Sequence, residues 1–216
     1  LVSLKGYSDM TMKEKYKLYE INTIGYLDIE TSGLTGDFDI MLTWANCIRN
    51  VKNDTTSIEY DFVEKGDFDL AYKKRAADLV DQRITESVVD SINQCDLVIG
   101  HWFIGKYRHD IPFIRTRCVI NHVKGFPEHR QIRYADTQKY SSLLYRLHNN
   151  RLDSVGRMFN LSIEKTPIDP KTWKNARMGV KEDIKYILDH NIKDVKITYK
   201  VHKGMEKFVP IPATYA

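Results

Sequence analysis

The first sustained apolar run of the chain, Ile24-Gly25-Tyr26-Leu27-Asp28-Ile29-Glu30, stops in Thr31-Ser32-Gly33. Its compactness, its β-branched and aromatic content and the turn residues that close it predict a buried strand. Residues 38–49 and 57–63 alternate β-branched and aromatic positions with polar ones on either side of Asn53-Asp54-Thr55. Three strands joined by short turns predict an antiparallel meander. The period then changes. Residues 69–93 carry Leu70, Ala77, Val80, Ile84, Val88 and Ile92 at helical spacing, in two pieces. Leu97-Val98-Ile99 is a short buried strand ending at Gly100, and a helix starts near Asp110 with Pro112 in its first turn. Residues 131–135 read as a last strand, Asp136 as the cap of the helix after it, and residues 152–160 as a short helix. A loop with Pro167 and Pro170 leads to a long amphipathic helix from Lys181 to about Lys207. Strands first, then alternating helices and strands, then a closing helix is an α/β order on a mixed sheet.

Composition narrows the class. At 216 residues, 42% hydrophobic and 29% charged, the chain has the make-up of one folded domain, and no apolar run reaches membrane-spanning length. The expected organisation is a polar N-terminal segment over 1–19, one domain over 20–208 and a tail over 209–216. Leu1 is not Met, so the chain is expected to begin inside a longer one or after processing. Cys47, Cys95 and Cys118 lie far apart, in no disulfide or zinc spacing, which favours a reducing, cytoplasmic compartment. The net charge of +4 permits a polyanionic partner without demanding one. Residues 101–151 hold ten Lys and Arg against Asp110, Glu128 and Asp136, interleaved with Trp102, Phe103, Tyr107, Tyr134 and Tyr140. Such a stretch could follow a phosphate backbone and stack bases, or form a solvated basic face.

The sharpest local chemistry is Asp28 and Glu30. Strand alternation puts both carboxylates on one face and Leu27 and Ile29 on the other. Two carboxylates in so apolar a strand are costly to bury unpaired, and a hard divalent cation removes that cost. Asp110 stands at a helix start, where a cap is the simplest role. His190 and Asp194, four apart in the closing helix, face one way in register with Ile187 and Val201.

The order of strand Asp-x-Glu, helix-start Asp and closing-helix His-x-x-x-Asp resembles the DEDD superfamily of 3′–5′ exonucleases. Asp28 and Glu30, with Thr31-Ser32-Gly33-Leu34, look like its first motif, Asp110 within Asp110-Ile111-Pro112-Phe113 like its second, and Asp194 like its third. Ala135-Asp136-Thr137, Asn150 to Gly156 and Asn191 to Val195 look like the branch related to family B DNA polymerase exonuclease domains. That branch includes stand-alone predicted exonucleases of bacteria, archaea and phages. The resemblance implies a ribonuclease H-like three-layer fold, with a central mixed five-stranded sheet flanked by helices. It implies hydrolysis of phosphodiester bonds in single-stranded DNA or RNA by a two-metal-ion mechanism, with Asp28, Glu30, Asp110 and Asp194 holding two divalent cations, Mg²⁺ or Mn²⁺.

By the same resemblance, Thr31, Gly33 and Leu34 grip the terminal nucleotide, and Trp102 and Tyr107 are candidates to stack the next bases. Its partners are then single-stranded nucleic acid and replication or repair proteins, with no membrane. Its place is the cytoplasm, or the host cytoplasm if the chain is phage-encoded. Two positions depart from the family. His190 stands at the spacing where Tyr is usual, and His109 precedes Asp110 where an aromatic is common. Either His190, as proton acceptor, or Tyr186 orients the attacking water. Two alternatives stay open: a nucleic-acid-binding module with weak or no catalysis, and a proofreading domain of a larger polymerase.

Overall fold

The structure is a computed structural model that describes residues 9–104, 109–128, 131–162 and 167–212. It is α/β, with a five-stranded mixed sheet between helices. β1 (Thr23–Thr31), β2 (Met41–Asn50) and β3 (Thr55–Phe62) form the expected meander, and β4 (Leu97–Gly100) and β5 (Arg133–Asp136) add to it in the order β3-β2-β1-β4-β5. β1 is therefore central, antiparallel to β2 and parallel to β4, and β4 is parallel to β5.

The helices are α1 (Met12–Leu18), α2 (Lys65–Lys74), α3 (Gln82–Asn93), α4 (Asp110–Ile120), α5 (Thr137–Leu144), α6 (Leu152–Met158), α7 (Pro170–Arg177) and α8 (Lys181–Met205). Two cores sit on opposite faces of the sheet. Leu27 and Ile29 of β1 join Ile84, Val88 and Ile92 of α3 and Ile111 and Ile114 of α4. Ile24 and Tyr26 face the other way, onto Tyr16 of α1 and Val195 of α8. A smaller cluster packs Leu152 and Val155 of α6 on Ile197 and Val201 of α8. Alternation along β1 thus fills both layers, and its later residues on the α8 side are Asp28 and Glu30.

Two helices lie where the sequence pattern predicts none. The polar lead-in contains α1, started by a reciprocal capping box between Thr11 and Glu14 and anchored by buried Tyr16. In the expected loop, Asp169 caps α7 and Pro170 takes its first position, where a missing N–H costs no bond. The helical stretch over 69–93 starts earlier, at Lys65, and breaks at Arg75, whose φ of 52° is left-handed. Cys47, Cys95 and Cys118 are all buried and unbonded, and burial pushes the Cys95 and Cys118 thiols up to about 12. No helix among the described residues is long and apolar enough to cross a membrane.

Candidate functional site

The sheet brings together the acids that the sequence separates by up to 166 positions, a span read from Asp28 and Asp194. Asp28 and Glu30 are part-buried on the α8 face of β1. Opposite them, α8 presents His190, Asn191 and Asp194, all buried. His190 Nε2 lies 3.5 Å from Asp194 Oδ2 and 3.9 Å from Glu30 Oε1. Asn191 Nδ2 donates to Asp28 Oδ2 at 2.5 Å. One turn of helix and one strand thus hold three carboxylates and an imidazole in register.

The fourth acid arrives from the other side. Asp110 is the first residue of α4, and β4 and Phe103, buried in the core, deliver the chain to it. It caps no helix: its Oδ2 is buried with no hydrogen-bond partner among the described residues. Burial raises its carboxyl well above the ordinary value, and the charges of Asp28, Glu30 and Asp136 raise it further. Such a group is stable as an anion only when positive charge arrives. The donor set is all carboxylate oxygen with one imidazole, and an oxygen, a nitrogen and an oxygen from Glu30, His190 and Asp194 lie within 4.8 Å of one another. The residues present therefore fit divalent cations.

A short loop after β1 flanks the acids. Asp39 organises it, accepting from Ser32 Oγ and from the Thr35 N–H and Oγ1 at 3.1–3.3 Å. The space a Cβ on Gly33 would need is filled by the Asp39 carboxylate, which is the physical reason for glycine there. Thr31 Oγ1 bonds the Gly33 carbonyl and lies 3.0 Å from His109 Nε2. Leu34 is left 84% exposed at the loop's rim, a displayed apolar side chain on a braced backbone.

The brace reaches deep. Arg117 donates to Gly36 O at 3.0 Å and to both oxygens of buried Asp81, which also takes the Met41 N–H at 2.8 Å. Arg117 belongs to the basic stretch over 101–151, yet it is 1% exposed and its ion pair with Asp81 is buried. Arg115 stacks over Phe126 and Arg133 over Tyr19, while Arg115, Lys124, Lys139, Arg146 and Arg151 are exposed.

Beside Asp28 and Asp194 opens a cleft of roughly 370 Å³, whose other walls are His101, Trp102, Arg151, Leu152 and Asp153. Trp102 is half exposed and sits at φ 64°, a left-handed conformation that a bulky residue adopts only when held. Asp136 does the holding: its carboxylate takes the N–H groups of Trp102 and Phe103, and also those of Gln138 and Lys139 as the cap of α5. His101 is an ordinary hydrogen-bonded histidine, at 2.9 Å from both Thr137 Oγ1 and Asn150 O. Tyr107 lies outside the described residues. Tyr186 is exposed rather than part of the core, and its hydroxyl donates to Pro167 O.

The sequence reading gave no role to Asn191, Asp39, Asp81 or the second pair of bonds made by Asp136. Asn191 had a findable signal, since it lies three residues before Asp194 and so shares its helix face. The others bond across 33 or more positions or inside an irregular loop, where no periodicity speaks. In comparisons with known proteins, no family model matches the chain and no curated protein matches it.

Proposed function

We propose that this protein is a metal-dependent 3′–5′ exonuclease of single-stranded DNA or RNA, built on a ribonuclease H-like fold. The observation that carries this is the close group of Glu30, His190 and Asp194, with Asp28 held on the same α8 face by Asn191 and Asp110 buried within reach of the Asp28 and Glu30 charges. The strand order β3-β2-β1-β4-β5, with an antiparallel meander on one side and parallel strands on the other, agrees with that fold. The four acids would hold two divalent cations, which supply Lewis acidity toward a phosphodiester and an acidified water when bound.

The chain's own residues do the rest. Asn191 fixes one Asp28 oxygen. Arg151, exposed on the cleft wall, offers a guanidinium to backbone phosphates. Leu34 and Trp102, held by Asp39 and Asp136, provide apolar surfaces for bases. The 3′ polarity comes from the family resemblance. The test uses 5′-labelled single-stranded DNA and RNA with Mg²⁺ or Mn²⁺, wild type beside Asp28→Ala, with products resolved as a ladder. Metal-dependent shortening from the 3′ end, lost by at least about 10³-fold in the variant, is the expected result. Retention of the oligonucleotides without cleavage under either ion would replace the enzyme by a binding module.

A further inference from the structure

We propose that His190 is itself a metal ligand, so that one ion of the cluster is bound by Glu30, Asp194 and the His190 ring nitrogen and the site prefers first-row transition ions to Mg²⁺. This rests on the exonuclease reading for the existence of the metal site, and departs from it in giving the imidazole a coordinating role where a proton-accepting one was expected.

The geometry comes first. Nε2 stands 3.5 Å from Asp194 Oδ2 and 3.9 Å from Glu30 Oε1, both too long for hydrogen bonds. Donors bound at about 2.0–2.2 Å to one cation stand roughly 3–4 Å from each other, so the same separations suit three ligands of one ion. The ring is held there: His190 is 6% exposed, and its neighbours on α8, Asn191 and Asp194, are buried with it. The second, independent sign of a ligand is Asp110, 5% exposed, with its Oδ2 lacking a hydrogen-bond partner among the described residues, beside Asp28 and Glu30.

The chemistry follows from the donor. Mg²⁺ takes hard oxygen ligands in a strict octahedron and gives up water reluctantly, so an imposed imidazole lowers its affinity. First-row transition ions accept imidazole readily, and Mn²⁺ is the member of that series closest to Mg²⁺ in its liking for carboxylates. A tyrosine in the same place could not make this distinction. His190 therefore converts an all-oxygen site into a mixed one without altering its carboxylates.

The experiment is Mn²⁺ and Mg²⁺ titration of the full chain by calorimetry without nucleic acid, with wild type beside His190→Gln. It is paired with electron spin-echo measurement of directly bound nitrogen on the Mn²⁺ complex. The expected results are Mn²⁺ binding about tenfold or more tighter than Mg²⁺, and a nitrogen coupling in wild type that disappears in the variant. The variant should lose at least about tenfold in Mn²⁺ affinity and little for Mg²⁺. Mn²⁺ binding to wild type with no nitrogen coupling overturns the proposal, whether or not the variant folds. In that case cleavage that falls in His190→Gln while metal affinity holds leaves the exonuclease reading standing, with the imidazole acting on water. Folded wild type that binds neither ion overturns both.

Discussion

Helix α8 buries two histidines twelve residues apart, and their surroundings are opposites. His202 accepts or donates at 2.9 Å to Tyr26 Oη, next to a cluster in which every acid has a base. There Arg49 pairs with Glu206 at 2.8 Å and Asp54 at 2.7 Å, Lys203 reaches both acids, and the Tyr16 hydroxyl donates to Glu206. His190 lies instead between Glu30 and Asp194, and Asp110 feels the like charges of Asp28, Glu30 and Asp136. The same strand and helix therefore bury charge in two ways. Where opposite charges are supplied by the chain, burial closes the fold. Where acid faces acid among the described residues, a bound cation can supply the neutralising charge, and that is the contrast between a structural cluster and a candidate site.

The largest effect that tests this contrast is at the compensated end. Arg49→Met removes the buried cation and leaves Glu206 with the Tyr16 hydroxyl and the part-exposed Lys203 ammonium. Stranding one member of a buried pair costs about 3–5 kcal/mol, read as a lower urea midpoint at unchanged slope. Adding Glu206→Gln should return part of that loss, because the stranded charge goes with it. A loss under about 1 kcal/mol for Arg49→Met would mean that the network is solvated and the comparison fails.

His202 sharpens the same end through pH. Burial lowers its pKa from the ordinary 6.5 to about 4, with the Glu206 charge opposing the shift and those of Arg49 and Lys203 adding to it. The folded state thus binds the proton later than the unfolded chain. Stability contributed by the neutral ring is complete above 6.5 and drains away as pH falls from 6.5 toward 4, by about 3 kcal/mol in all. Urea midpoints of wild type minus those of His202→Gln should carry this slope inside that window and be level above it. A difference that is flat from 7 to 4 would place the ring in contact with water.

These clusters also mark how much of the molecule was legible in the sequence. β1 was legible because a central strand is apolar on both faces, so Asp28 and Glu30 stood out against it. His190 and Asp194 were legible because a helix repeats its face every four residues. α1 and α7 were missed for a local reason: each starts on a side-chain cap, at Thr11 and at Asp169, and each is too short to build a period. The Arg117–Asp81 pair was unreadable for a global one. Its members lie 36 positions apart, and a charged residue in sequence carries no mark of the partner that folding will supply. A lone arginine near a suspected phosphate site invites the functional reading. Burial overturns it.

The smallest predicted effect has the opposite sign and lies at the acid end. Asp110 has a carboxyl raised well above its ordinary value, first by burial and then by Asp28, Glu30 and Asp136. A raised acid favours folding below the ordinary carboxylate range and loses that contribution as pH rises through the folded value. Without metal, Asp110→Asn should therefore be more stable than wild type at pH 8. The gain is about 1 kcal/mol, limited because the amide is itself left short of partners. The gain should shrink toward pH 4, where wild type is protonated. Mn²⁺ should reverse the order, stabilising wild type more than the variant, because the ligand binds the folded state through the charge that was costly without it. Thermal melts in chelator and in Mn²⁺ at the two pH values measure both halves. A variant less stable than wild type in chelator at pH 8 would show Asp110 to be compensated within the chain, and the two ends of α8 would then be alike.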